Sequence, residues 1–337
     1  MGGCTTGNSS DTFSKVSVSF YHWQTQFSLT ETDQYWLDTL HVDRVYTKFF
    51  DVDWDVGRKE AVALATVQFE DESPPPVEIV PVVFLTNRTF QHLPAADVPQ
   101  LAQRVFEKIE SILTAGPYTV SEVQMDCDWT KSTRVSYFSF LERLRSKLVE
   151  RKINLSTTIR LHQIKYPEQT GVPPVDRGVL MYYNMGTVQE RTATNSILDN
   201  QIGERYLNRL SAYPLPLDVA LPLFRWGVLF RRGEMIKLIN QLHLTELTDN
   251  QQFAKQTDDY WRVVKSGYFG GVYLYEGDEL RLEAAEPAAL SEAVFLLKKR
   301  LKNEDRQLIF YHLDEAVLHY FRPDQLLGWQ KELPATN

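Results

Sequence analysis

The chain of 337 residues is long enough for one large domain or two ordinary ones, and its apolar fraction of 43% is sufficient for a core. A formal net charge of -8 and a pI of about 5.5 argue against nucleic acid or an anionic membrane surface as the main partner. The two cysteines do not suggest a disulfide framework or a zinc site, and we expect no metal and no cofactor.

Residues 1–14 are predicted to be a flexible tether, because Cys4 is followed by a run of small polar residues before the first apolar strand. Gly3-Cys4 resembles the end of a bacterial lipobox, which implies lipid attachment at Cys4 and a location in the bacterial cell envelope, periplasmic or surface-facing. Two alternatives to lipid attachment at Cys4 stay open. In the first, the segment is a chain end without functional meaning, and in the second, Gly2 and Thr6 belong to an N-myristoylation signal. We expect membrane association only through such a lipid, since no later segment is long and apolar enough to span a bilayer.

Eight apolar or aromatic runs alternate with helical or irregular connections, which is typical of repeated strand–helix units. The predicted strands, in chain order, are residues 16–23, 44–50, 79–86, 122–129, 154–161, 178–183, 218–224 and 307–312. The predicted helices are residues 95–113, 133–151 and 287–302, with closing helical turns at 316–321 and 323–331. Eight strands with helices packed outside predict that residues 15–337 form a single (β/α)8 TIM barrel of the α/β class.

Residues 230–300 do not fit this repeat, because the connection between the seventh and eighth predicted strands is far longer than one helix requires. Within it we predict a helix over residues 249–265, closed by Gly267, and a hairpin of residues 272–275 with 280–282. We expect this insertion to form a lid or a side wall over the barrel mouth.

Two aspartates in the fourth predicted strand carry the most functional information. Strand alternation places Asp126 and Asp128 on a polar face with Gln124, while Met125 and Trp129 lie on the opposite, apolar face. Because helices cover the outside of a parallel barrel, the polar face is expected to line the interior. Asp126 and Asp128 are therefore predicted to form a coupled carboxylate pair at the barrel mouth, which would be catalytic in an enzyme.

Polar and aromatic residues follow most of the predicted strands, and the active groups of a (β/α)8 barrel lie at the C-terminal ends of its strands. Such groups are typical of a carbohydrate site, because rings stack on sugar faces while carboxylates and amides bond hydroxyl groups. The predicted glycan-binding residues are Trp23, Asp51, Trp54, His162, Tyr183, Asn184, Arg225, Trp226, Asp314 and Glu315. Each of them has an ordinary alternative role in loop or barrel packing. The expected partner is a polysaccharide or an oligosaccharide.

Two short motifs resemble the chitinase-like family 18 glycoside hydrolases. Residues 123–130 are similar to the family's fourth-strand pattern Asp-x-x-Asp-x-Asp-x-Glu, and residues 181–184 to its sixth-strand pattern Met-x-Tyr-Asp. The resemblance implies a (β/α)8 barrel that acts on glycans. In that family the final Glu protonates the leaving group, and the Asp two residues before it helps the acetamido group of the substrate to act as nucleophile.

This chain departs from the family pattern at the catalytic position. Thr130 replaces the catalytic Glu, Val123 replaces the first Asp, and Asn184 replaces the Asp after Tyr183. A threonine hydroxyl cannot act as a general acid near neutral pH, because general acid catalysis needs a pKa near the working pH. The resemblance therefore does not carry the family mechanism to this chain intact.

Three functions stay open from the sequence. A hydrolase would use Asp128, or a carboxylate across the mouth such as Asp51, Asp314 or Glu315, as proton donor with Asp126 in support. A noncatalytic barrel would bind the glycan with the same aromatic and amide groups. A scaffold for envelope proteins would have a mouth filled by side chains and would use the insertion as its working surface.

Overall fold

The computed structural model describes residues 14–70 and 75–334. Cys4 and most of the predicted tether lie outside the described residues. Within them the strands are β1 (Val16–His22), β2 (Gln26–Phe27), β3 (Arg44–Asp55), β4 (Glu60–Leu64), β5 (Gln68–Phe69), β6 (Glu78–Leu85), β7 (Glu122–Asp126), β8 (Asn154–Arg160), β9 (Arg177–Met181), β10 (Leu217–Pro222), β11 (Arg225–Arg231), β12 (Glu234–Asn240), β13 (Phe253–Lys255), β14 (Tyr260–Val263), β15 (Gly267–Phe269), β16 (Val272–Leu274), β17 (Glu279–Ala284) and β18 (Arg306–Tyr311).

The α-helices lie mainly between the strands of one large sheet. They are α1 (Glu31–Thr39), α2 (Asn87–His92), α3 (Val98–Leu113), α4 (Arg134–Glu150), α5 (Leu161–Lys165), α6 (Pro167–Thr170), α7 (Asn200–Glu204), α8 (Leu244–Thr248), α9 (Pro287–Lys298), α10 (Glu315–Leu318) and α11 (Pro323–Glu332). Short 3-10 helices occupy Ala95–Asp97 and Leu207–Ala212. Among these described helices, none is both long enough and apolar enough to cross a membrane.

Eight parallel strands close into a barrel, in the spatial order β1, β3, β6, β7, β8, β9, β10 and β18. Closure is made by β1, which pairs with β18 along one edge and with β3 along the other. This confirms the predicted (β/α)8 barrel and all eight predicted strands. Beyond the barrel, β3 continues into an antiparallel hairpin with β4.

The predicted outer helices are also present. In α9, Leu290, Ala293, Val294 and Leu297 are fully buried, as expected for residues spaced along one helical face. Burial of the two leucines and the valine contributes roughly 1.5–3 kcal/mol each to folding, and burial of the smaller Ala293 contributes less.

Polar side chains fill the inside of the barrel. The Tyr21 hydroxyl donates to Gln124 Oε1 at 2.7 Å, and Ser156 Oγ donates to Glu122 Oε1 at 2.5 Å. Because β1 and β7 are not neighbours in the sheet, the first of these bonds crosses the barrel interior. The predicted polar face of β7 therefore points inward at Gln124. However, β7 ends at Asp126 and not at residue 129 as predicted.

Residues 225–284 form a five-stranded antiparallel sheet between the seventh and eighth barrel strands, in the order β12, β11, β17, β14 and β13. The helix predicted over residues 249–265 is wrong, because this segment contains the antiparallel pair β13–β14. Phe253 and Val263 are opposite one another in that pair, and both are buried with Trp261 in a small apolar cluster. The cross-strand contact and shared burial of Phe253 and Val263 favour two strands over the predicted helix.

The predicted hairpin of residues 272–275 with 280–282 is also wrong. β16 pairs with β15, while β17 pairs with β11 and β14. The β15–β16 hairpin turns at Gly270 and Gly271, whose φ angles are 54° and 71°. Two successive positive φ values are what a two-residue hairpin turn requires, and glycine adopts them without strain.

Charged side chains occupy the N-terminal end of the barrel. Arg44 Nη1 lies 3.2 Å from Glu122 Oε2, and Arg177 Nε lies 3.4 Å from Asp218 Oδ2. Asp218 Oδ1 also accepts the Gln307 backbone N–H at 2.6 Å. Burial raises the pKa of Asp218 to about 7, against the opposing effect of the Arg177 guanidinium. This carboxyl group therefore titrates within the neutral range.

We predict that Asp218 makes the fold less stable as the pH rises. An aspartate in an unfolded chain has a pKa of about 3.9, so between about pH 4 and 7 Asp218 binds a proton more often in the folded chain than in the unfolded one. Its contribution to the free energy of unfolding should fall across this window, by an amount on the order of a few kcal/mol, whereas the lowered pKa of buried His22 acts in the opposite direction in both proteins. Asp218→Asn keeps an oxygen for the Gln307 N–H, so the difference in free energy of unfolding between variant and wild type should shift in favour of the variant from pH 5 to pH 8, measured by urea unfolding. The exposed control Asp258→Asn should show no such shift, and a pH-independent difference for Asp218→Asn would contradict the prediction.

Candidate functional site

A cavity of about 580 Å³ opens at the C-terminal ends of the barrel strands. This volume lies within the range of about 300–1,000 Å³ that is usual for small-molecule sites. The lining residues are Trp23, Lys48, Asp51, Phe84, Asp126, Arg160, Met181, Tyr183, Asn184, Phe224, Arg225, Trp226, Asn240, Gln241, Tyr311 and His312. In the described part of the chain, no group of three or more His, Cys, Asp or Glu side chains is placed to hold a metal ion.

Five aromatic side chains of the cavity lining form a connected group that we call the aromatic arc, and its three central rings, Tyr311, Tyr183 and Phe224, all contact one another. Its ring centroids are separated by 5.8 Å between Trp23 and Tyr311, 5.8 Å between Tyr311 and Tyr183, 6.0 Å between Tyr183 and Phe224, and 5.1 Å between Phe224 and Trp226. The arc joins the ends of β1, β18, β9 and β10 to the start of β11. Such a surface offers several ring faces to the apolar faces of sugars.

Asp126 ends β7 and is held by two groups from the neighbouring strand β8. Asp126 Oδ1 accepts a hydrogen bond from Thr158 Oγ1 at 2.6 Å and another from Arg160 Nη2 at 3.1 Å. The residue is only 3% exposed. Burial acts to lower the pKa of Arg160, but Asp126 and nearby groups outweigh it and raise the pKa above its usual value. Asp126 is buried and the Arg160 side chain is 22% exposed, so the two form a partly buried ion pair in the cavity lining.

The second carboxylate in the cavity lining is also paired with a cation. Lys48 Nζ lies 3.2 Å from Asp51 Oδ2, and the two residues belong to the same strand, β3. The same ammonium group lies 5.8 Å from the ring centroid of Trp23. Asp51 and Asp126 are the carboxylates among the lining residues, so each acid group in the described cavity wall faces a cationic partner.

Asp128 does not share the cavity with Asp126, and the predicted carboxylate pair must be corrected. Because β7 ends at Asp126, alternation no longer directs Asp128 inward, and its side chain is 58% exposed. The Asp128 carboxylate lies 3.9 Å from His162 Nε2, outside the cavity lining. Thr130, at the position of the family's acid, is exposed, and its hydroxyl contacts Ser132 at 2.9 Å.

Six of the ten predicted glycan-binding residues line the cavity, namely Trp23, Asp51, Tyr183, Asn184, Arg225 and Trp226. The other four do not, namely Trp54, His162, Asp314 and Glu315. Trp54 stacks on His92 at 5.8 Å. Asp314 contacts a lining residue, because it accepts a hydrogen bond from Gln241 Nε2 at 2.6 Å. It also caps α10 by accepting a hydrogen bond from the Ala316 N–H.

Asn240 and Gln241 reach the cavity from the insertion, and the sequence analysis did not identify them. Asn240 ends β12 and Gln241 follows it, and the hairpin of β12 with β11 turns at Arg232 and Gly233. These two residues have φ angles of 52° and 83° and lie between two apolar runs. Glycine adopts a positive φ without strain, so Gly233 favours this turn. Two residues of the insertion therefore line the cavity.

Several solved structures resemble this chain, and their names concern glycan-degrading enzymes. The spore cortex-lytic enzyme SleL of Bacillus megaterium has a TM-score of 0.59 and 13% identity, covering 97% of this chain and 76% of that one. A chitinase of Chromobacterium violaceum has a TM-score of 0.54 and 11% identity, covering 94% and 99%. A Group IV chitinase of Ostrinia furnacalis has a TM-score of 0.53 and 11% identity, covering 95% and 99%.

No protein-family model matches the sequence, and no curated protein sequence matches it. At identities of 11–14%, the structural likeness establishes the fold and leaves the function to be argued from the site. The fold is that of the chitinase-like glycoside hydrolases, as the two short motifs implied.

We predict that Arg160→Met destabilises the protein by about 3 kcal/mol, because it leaves the Asp126 carboxylate buried without its cation. Urea unfolding measures this loss. The double variant Asp126→Asn with Arg160→Met should recover part of it, since no buried charge then remains. Arg88→Met is the matched control, because its partner Asp53 is an acid at a more exposed position, and the cost there should stay below about 1 kcal/mol. Equal losses in the two single variants would contradict a buried pair.

Proposed function

We propose that the protein binds a glycan at the mouth of its barrel and does not hydrolyse it. The observation that carries this proposal is the pairing of both cavity carboxylates with cations, Asp51 with Lys48 and Asp126 with Arg160. A glycosidase acid must be protonated near neutral pH, which burial or a second nearby acid promotes and an adjacent cation opposes. The environment of these two carboxylates is therefore the opposite of what a proton donor needs.

Thr130, which stands where the chitinase-like pattern has its catalytic Glu, also supports binding without hydrolysis. Thr130 has no titratable proton near neutral pH, and its hydroxyl is engaged with Ser132 and Thr133. Asp128, two residues earlier, is exposed and lies outside the cavity lining. A retaining glycosidase with a carboxylate nucleophile would need two carboxyl groups about 5–5.5 Å apart across the scissile bond, and an inverting one about 6.5–9.5 Å, while a substrate-assisted enzyme still needs one protonated acid. The described cavity wall offers no unpaired carboxylate for either arrangement.

The rest of the cavity supports glycan binding. The aromatic arc supplies stacking surfaces, and the amide groups of Asn184, Asn240 and Gln241 supply donors and acceptors for hydroxyl groups. The scaffold interpretation expects a filled mouth, whereas this mouth contains an open cavity of about 580 Å³. Lipid attachment at Cys4 and a cell-envelope location stay predictions from the sequence, and glycan binding does not depend on them.

A glycan-binding assay combined with a hydrolysis assay tests the proposal directly. Chitotetraose and a panel of soluble and insoluble glycans are incubated with the protein, and bound glycan and newly formed reducing ends are both measured. We expect binding without release of reducing ends. Asp128→Asn, outside the cavity lining, should leave this result unchanged, and Asp126→Asn should likewise release no reducing ends. Turnover in the wild type that either variant abolishes would establish a hydrolase instead, and absence of binding to every glycan would refute the proposal.

We also predict that Trp23→Ala and Trp226→Ala each weaken glycan binding about tenfold, because each removes a ring at one end of the arc. Isothermal titration with the glycan that the wild type binds best measures the change. Tyr268→Ala is a suitable control, since this tyrosine is exposed on β15 and outside the cavity lining. Unchanged affinity in both tryptophan variants would place the binding site elsewhere.

A further inference from the structure

Arg225 is a buried cation whose charge is poorly neutralised. It begins β11, lines the cavity and is 8% exposed. Among the described residues, its Nε has no hydrogen-bond partner. The Glu286 carboxylate lies 4.0 Å from Arg225 Nη2, at the limit of an ion pair, and the Glu286 side chain is 64% exposed. Solvent screens such a contact strongly, so it contributes little to neutralising a buried guanidinium.

The other two cations of the cavity differ from Arg225 in this respect. Lys48 has the Asp51 carboxylate at 3.2 Å, and Arg160 has the Asp126 carboxylate at 3.1 Å. The lining therefore contains three cations and two carboxylates, and the excess positive charge lies at Arg225. Burial lowers the pKa of Arg225, but a guanidinium stays charged at physiological pH.

The geometry of Arg225 leaves its hydrogen-bonding edge available. The guanidinium carbon lies 3.4 Å from the ring centroid of Tyr320, so the planar group stacks on that ring. A stacked guanidinium is fixed in orientation, while its N–H groups point outward in the plane of the group. Such an edge matches the two oxygens of a carboxylate, which it can bind through two parallel hydrogen bonds.

We infer that the glycan bound at the mouth is acidic and that Arg225 binds its carboxylate. The inference rests on the proposed glycan-binding function and specifies its ligand class. A neutral sugar hydroxyl could accept a hydrogen bond from Arg225 but would leave the buried charge uncompensated. A uronic acid or a lactyl ether on the sugar supplies the missing anion.

Two matched pairs of oligosaccharides test this inference. The first pair is chitotetraose and the tetrasaccharide of alternating N-acetylglucosamine and N-acetylmuramic acid, which share one backbone and differ in their lactyl carboxylates. The second pair is a hyaluronan tetrasaccharide and its carboxyl methyl ester. Isothermal titration of the wild type should show that the acidic member of at least one pair binds about tenfold more tightly than its neutral counterpart.

Variants at position 225 test whether the Arg225 guanidinium causes the preference for acidic oligosaccharides. Arg225→Gln should abolish the preference, so that the acidic and neutral members of the pair bind the variant with affinities within about twofold of each other. Arg225→Lys should retain part of the preference, because it keeps the charge and loses the planar fork. Arg322→Gln is the control, since Arg322 is an exposed arginine paired with Asp324 outside the cavity lining.

The possible results distinguish a preference for acidic glycans from glycan binding itself. Equal binding of acidic and neutral members by the wild type would overturn the inference and leave glycan binding intact. A preference that persists in Arg225→Gln would also overturn it. If none of the four oligosaccharides binds, the proposed function fails, and the inference fails with it. The wild-type comparison decides the matter even if Arg225→Gln does not fold.

Discussion

The ion pair between Asp126 and Arg160 is the interaction on which the proposed function depends. It joins the ends of two neighbouring barrel strands and holds a carboxylate that is almost completely buried. A buried carboxylate needs a cation or a proton, and here the partner is a guanidinium supported by the Thr158 hydroxyl. Asp126, the carboxylate of the chitinase-like motif that lines the cavity, is therefore engaged in an ion pair of the barrel mouth. The cavity retains its aromatic wall and its amides for binding.

Most of the barrel could be predicted because its signals are local. Each barrel strand is a short apolar or aromatic run, and the outer helices have one apolar face, so both follow from nearby residues. The insertion was mispredicted because its strands are defined by pairing. Phe253 pairs with Val263 across a turn inside the segment predicted as a helix, and β17 pairs with β11, where Leu280 is opposite Leu229 from a distant part of the chain. A local helical interpretation has no access to such partners.

The site residues could be predicted from the sequence only where the ends of the barrel strands could be predicted. Trp23, Tyr183, Arg225 and Trp226 were identified because each follows or ends a predicted strand, or begins the segment after one. The prediction that Asp128 faces the barrel interior was wrong because β7 ends at Asp126, three residues before the predicted end. Strand alternation applies only within the strand, so an error in its end changes which residues are expected to face inward. The partner of Asp126 could not be read from a motif, since Arg160 lies 34 residues away along the chain.

A crystal structure with the oligosaccharide that binds most tightly would distinguish glycan binding from hydrolysis. We expect an intact oligosaccharide in the mouth of the barrel, with sugar rings against the aromatic arc and the Asp126–Arg160 pair unbroken. If the sugar instead lies outside the mouth, the cavity is not the binding site. A cleaved chain with a carboxyl group of Asp126 or Asp51 against the broken linkage would show that the barrel is an enzyme.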